Sequence, residues 1–207
     1  MNATAWWAGW SIIVIISLST PTQAQEKIDR QSESHQAILN YLGSLKSVRL
    51  GKRVQLQPLG DDDLQTVFNQ CEFFLLRYPR YPSEVIPVEP LRPNNLFAVC
   101  DRNVSRMSEG TELRDFFLQH FPSATNNEIR TAGIRGWLRL AQELYQDGFV
   151  KFSSPSIKTD DSKFEGAVNA IEGTGEGSIT VKMLFRSDKL AELRFEGHVV
   201  PGPRQLR

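Results

Sequence analysis

Residues with chemical potential are few in this chain, and they are scattered. The string Gly173-Thr174-Gly175-Glu176-Gly177-Ser178 has the composition of a phosphate cradle, but no lysine follows it and it joins two strand patterns. A phosphate loop draws its force from the helix N-terminus behind it, so a flexible hairpin loop is the better reading. His35, His120 and His198 are the three histidines, and none has a metal-ligand spacing such as HExxH. His198 alternates outward beside Glu196, where it could at most serve as a general base on an open sheet face. Asp61, Asp62 and Asp63 are consecutive carboxylates whose side chains diverge, whereas a calcium loop needs ligands at alternate positions. A helix cap or a solvated turn is expected there. Glu143 and Asp147 stand one turn apart near Tyr145 and read as a solvated helix end. No Gly-x-Ser-x-Gly elbow occurs, and Ser153-Ser154-Pro155 reads as a strand break. No cofactor or metal is expected, and catalysis would require a dispersed acid and histidine site, as in an envelope hydrolase.

Two other groups of residues carry more. Arg77-Tyr78-Pro79-Arg80-Tyr81-Pro82 is a doubled triplet whose prolines stiffen the backbone while guanidinium groups and rings recur along it. Arg77, Tyr78, Arg80 and Tyr81 are of the types that anchor interfaces, and a stiffened segment loses less entropy on association. The plainer alternative is a strand exit whose rings pack on the domain. Cys71 and Cys100 are the two cysteines, too few and too far apart for a zinc cluster or a CxxC pair. Both lie in apolar, strand-like segments, so antiparallel pairing would join them in a disulfide; the alternative is two buried thiols.

The elements that position these residues follow from periodicity. Residues 25–47 read as a helix with an apolar stripe of Ile38, Leu39, Leu42 and Leu45. Residues 67–78 and 95–100 are strand-like, separated by a Pro-rich passage, and Asp101-Arg102-Asn103 is turn chemistry leading into a hairpin partner at 104–107. The sequon Asn103-Val104-Ser105 falls at that turn and is expected to be unused. Leu113, Phe116, Phe117 and Phe121 recur at helical spacing up to Pro122. A second helix opens at Thr125-Asn126-Asn127-Glu128, which spells a capping box, and buries Ile134, Trp137, Leu138, Ala141 and Leu144 before Gly148 stops it. Residues 149–152, 163–171, 178–186 and 190–200 then read as strands of an antiparallel meander. The fold class is α+β, a C-terminal antiparallel sheet packed on two or three helices.

At the N-terminus, an apolar run from Ser11 to Leu18 gives way to Thr22-Gln23-Ala24. This is the pattern of a signal peptide over residues 1–24, with cleavage near Ala24 and a secreted or periplasmic mature protein. Ala5 to Leu18 spans fourteen residues, short of the about 20 that a membrane helix needs, so membrane contact is expected only if Trp6, Trp7 and Trp10 are retained as a tether. Removing 24 of 207 residues leaves about 183, read as an N-terminal helix and linker over 25–60 and one α+β domain over 61–207. Charge is balanced, 24 basic residues against 24 acidic, so no long-range field favours nucleic acid.

The strings Phe73 to Pro79, Pro90-Leu91 with Asn95 to Val99, Trp137 to Leu144, Gln146 to Phe149 and Pro201-Gly202-Pro203-Arg204 resemble those of uncharacterised exported proteins of planctomycete bacteria. The resemblance covers roughly residues 73–204 and implies bacterial export, with no activity, substrate or cofactor attached. Similar proteins continue beyond the Pro-Gly-Pro-Arg string, whereas this sequence stops at Arg207. The expected role is a binding or assembly protein of the cell envelope, with an envelope protein or polymer as partner.

Overall fold

The computed structural model describes residues 23–45, 55–77, 94–145 and 150–201. The hydrophobic leader, Tyr78, Arg80, Tyr81, Asp147 and Gly148 lie outside the described residues. The chain runs α1 (Gln23–Ser44), β1 (Gln55–Pro58), α2 (Asp62–Val67), β2 (Cys71–Arg77), β3 (Asn94–Cys100), β4 (Asn103–Met107), α3 (Gly110–His120) and α4 (Asn127–Tyr145). The meander β5 (Ser156–Asp160), β6 (Lys163–Asn169), β7 (Gly175–Arg186) and β8 (Lys189–Pro201) follows. The fold is α+β, with two antiparallel four-stranded sheets ordered β1-β2-β3-β4 and β5-β6-β7-β8.

Layering follows from which strand faces are apolar. In β2, Phe73 and Leu75 point one way and Phe74 and Leu76 the other, and all four are buried. A strand apolar on both faces needs cover on both sides. Phe73, Leu75, Leu96 and Ala98 pack with Leu64 of α2, Phe116 and Phe117 of α3, and Trp137 and Leu138 of α4. On the other face, Phe74, Leu76, Phe97 and Val99 pack against Ile38 and Leu42 of α1. The second sheet is one-sided: Ile179, Val181, Met183 and Phe185 of β7 join the helical layer, while the alternate residues Lys182 and Arg186 are exposed. The order is therefore α1, first sheet, α2 to α4, second sheet.

The disulfide expected between Cys71 and Cys100 is present, with the two residues directly opposite each other in β2 and β3 and their Cα atoms 4.2 Å apart. Beyond it, Asp101 and Arg102 take φ of 48° and 67°, the two left-handed positions of a tight hairpin turn. Gly177 has φ +123°, and a Cβ there would lie 1.8 Å from the His198 carbonyl oxygen, so the close approach of β7 to β8 admits only glycine.

Four local expectations are corrected. The segment from Val67 begins not as strand but as the end of α2, whose N-cap Asp61 accepts a hydrogen bond from the Leu64 amide at 3.0 Å. The strand expected at 149–152 is absent among the described residues of that stretch, where Phe152 forms an isolated bridge with Ala170. The edge strand is instead Ser156–Asp160, exposed except for half-buried Ile157, so it shows no apolar alternation to read. The capping box also fails to form. Asn126 Oδ1 accepts from the Ile129 amide at 2.9 Å, freeing Thr125 to donate to the Asp188 carbonyl at 2.8 Å and to accept from Arg130 Nε at 3.0 Å. Finally, the helix end at Glu143 is not solvated: that side chain is 4 % exposed and pairs with Arg139 at 2.9 Å.

Arg130 is the polar centre of the layer. Its guanidinium meets Asp188 at 2.6 Å and the Asp161 carbonyl at 3.3 Å, and it stands 4.9 Å from the centroid of the Phe185 ring. One buried cation thereby joins α4 to the β5–β6 and β7–β8 turns.

Candidate functional site

Along α1 the apolar stripe that grips the first sheet ends at Ile38. The next position on that face, one turn toward the N-terminus, is Ser34, which is buried but too small to fill the space an aliphatic side chain would occupy. On the sheet below, β2 carries Glu72 on the face it shares with Phe74 and Leu76, opposite Val99 of β3. A short side chain above and a carboxylate below leave a groove. Its volume is about 600 Å³, within the range of small-molecule sites.

Three elements supply the walls. From α1 come Glu33, Gln36 and Asn40, from the approach to and start of β2 come Gln70 and Glu72, and the β3–β4 turn contributes Asp101 and Arg102. Ala37 and Val99 are the apolar patches. Glu72 Oε2 is buried and accepts no hydrogen bond among the described residues. Arg102 makes no ion pair with Glu33, Glu72 or Asp101, although all four line the same groove. Among the described residues no aromatic ring lines it, so it lacks a platform for stacking a sugar ring.

The disulfide lies on the other face of the first sheet, where Cys71 and Cys100 join the cluster that packs on α2 to α4. Glu72 follows Cys71, and Asp101 and Arg102 follow Cys100, so a covalent link holds the strand that carries the half-buried carboxylate to the turn that carries the guanidinium. The arrangement can accept donors, offer amides, and hold opposite charges on one ligand.

The residues singled out from sequence mostly lie elsewhere. Arg77 ends β2 opposite Asn94, five residues and roughly 17 Å along the strand from Glu72. Tyr78, Arg80 and Tyr81 are outside the described residues. Glu196 and His198 are exposed on β8, and His120 stacks on Phe116 at 4.6 Å between centroids, so these groups do not converge. Asp61 is a helix cap, and Asp63 lies 3.7 Å from Arg135, with burial raising its pKa above the usual carboxylate value against the pull of that guanidinium. Among the described residues no three His, Cys, Asp or Glu side chains are placed to hold a metal ion. The glycine string joins β6 to β7 as a hairpin, Gly173 and Thr174 turning and Gly175 opening β7.

Sequence reasoning missed the groove. Two signals could have shown it: a charge at Glu72 inside the apolar run from Cys71 to Leu76, and Ser34 interrupting the stripe that Ile38 and Leu42 begin. Comparison with protein-family models, curated proteins and solved structures finds no match.

Proposed function

We propose that this chain is an exported binding protein of the cell envelope that holds a small polar ligand in the groove beneath α1. The observation that carries the reading is the groove itself: about 600 Å³, walled by carboxylate, amide and guanidinium side chains, on a floor linked by a disulfide. Support for export comes from the Cys71–Cys100 bond, since such bonds persist in oxidising compartments, and from the leader pattern over residues 1–24. No described helix is long and apolar enough to cross a membrane. Arg77, at the opposite end of β2, leads into Tyr78, Arg80 and Tyr81, which are proposed as contacts for an envelope protein or polymer.

A thermal-shift comparison tests the groove. Purified protein is melted with a dialysable hydrolysate of bacterial envelope, beside a Ser34→Leu variant whose larger side chain fills the space. A ligand that binds the native state raises the melting temperature of the wild type and leaves the variant unmoved. An equal response of both, or none in either, overturns the reading.

A further inference from the structure

We infer that the groove takes a small zwitterion, a free amino acid or the charged end of a short peptide, with the ligand's ammonium against Glu72 and its carboxylate against Arg102. This ligand class presupposes the binding role proposed above and adds the chemistry of what is held.

Glu72 occupies a position where the alternation of β2 puts Phe74 and Leu76 on the same face, yet it is a half-buried carboxylate that lines the groove, and its Oε2 has no hydrogen-bond partner among the described residues. An ammonium supplies charged donors to the part of that carboxylate which the groove exposes. Glu33 and Asp101 add negative potential around the same space. Arg102, exposed on the β3–β4 turn, makes no ion pair among the described residues, and a guanidinium binds a carboxylate through two parallel hydrogen bonds. The two ends are held by covalent geometry. Glu72 is one residue from Cys71, Arg102 two from Cys100, and the cysteines are bonded to each other. A tight turn with both residues at positive φ then presents Arg102 on the rim. Gln36, Asn40 and Gln70 add side-chain amides that suit the peptide groups or hydroxyls of a ligand between the two charges.

Isothermal titration with L-lysine, Gly-Gly-Lys, n-butylamine and neutral diacetylchitobiose tests this on the wild type and on Glu72→Gln, Arg102→Ala and Ser34→Leu, each checked for native circular dichroism. Ala37→Leu replaces Ser34→Leu if that variant does not fold. Saturable binding of L-lysine or Gly-Gly-Lys is expected, and the tighter of the two identifies free amino acid or peptide end as the source. Glu72→Gln weakens both about tenfold or more, as loss of a charged hydrogen bond does. Arg102→Ala weakens the zwitterions and leaves n-butylamine unchanged. The inference is overturned if neither zwitterion binds the wild type, or if Glu72→Gln and Arg102→Ala bind them as the wild type does. Binding of diacetylchitobiose alone, abolished by filling the groove, removes the zwitterion and keeps the binding role. Silence from every probe together with no melting shift in the hydrolysate removes both.

Discussion

Arg130 illustrates what one side chain contributes when several elements converge on it. The residue is 8 % exposed, packed over the Phe185 ring, and its partners Asp161 and Asp188 lie 31 and 58 residues further along the chain. Nothing near it in Asn127-Glu128-Ile129-Arg130 distinguishes it from a solvated helix charge, because the groups that bury it arrive from two distant turns. Removing the cation strands the Thr125 and Asp161 oxygens and opens a space beside Phe164 and Phe185. Arg130→Ala is expected to cost about 2–4 kcal/mol in urea unfolding. Asp188 is 68 % exposed and has φ 63°, a conformation asparagine tolerates, so Asp188→Asn should cost less than about 1 kcal/mol. Comparable losses in the two variants would show that the salt bridge, rather than the whole set of contacts, is what matters. Glu72 was hidden for the converse reason: a single charge in an apolar run is visible, but only the strand's register with Val99 and the cover of α1 make it part of a groove.

At the scale of elements, legibility followed the strength of periodicity. The stripe of α1, the hairpin of β3 and β4, the two central helices and the later strands of the meander all have strong patterns and lie where the spacing puts them. β5 does not, since an exposed edge strand such as Ser156–Asp160 needs no apolar alternation and its pairing with β6 supplies the order. The Asn126 cap displaced the expected Thr125 cap because the threonine hydroxyl has a distant partner in the Asp188 carbonyl. The disulfide was legible because both cysteines sit in strand patterns that the hairpin brings opposite each other. It closes a separation of 29 residues, which restricts the unfolded chain by roughly 3–4 kcal/mol. Replacing both cysteines with alanine should lower unfolding free energy by about that amount in denaturant titrations while far-ultraviolet dichroism stays native. An unchanged midpoint would mean that packing of Phe74 against Phe97 already holds the strands together.

The whole molecule is asymmetric in how its two sheets are covered. The first is buried on both faces, the second on one, and sequence shows the difference directly: Cys71 to Leu76 is nearly continuous in apolar residues, whereas residues 179–185 alternate. A continuous run demands a cover on each side, which makes α1 an integral layer. Ile38 and Leu42 are both fully buried. Truncating Leu42 to alanine should cost about 2–5 kcal/mol and increase binding of a hydrophobic dye, as Phe74 and Phe97 lose their cover. Lys182→Ala, on the bare face of the second sheet where Lys182 meets Glu165 at 3.4 Å, should change stability by no more than about 0.5 kcal/mol. A dye signal equal in both variants would contradict the layering. The same asymmetry suits immobilisation: the groove lies between the first two layers and the bare sheet forms the fourth. Coupling confined to outward lysines of the second sheet, such as Lys158, Lys163 and Lys182, would therefore anchor the molecule to a sensor chip with the groove directed into the flow.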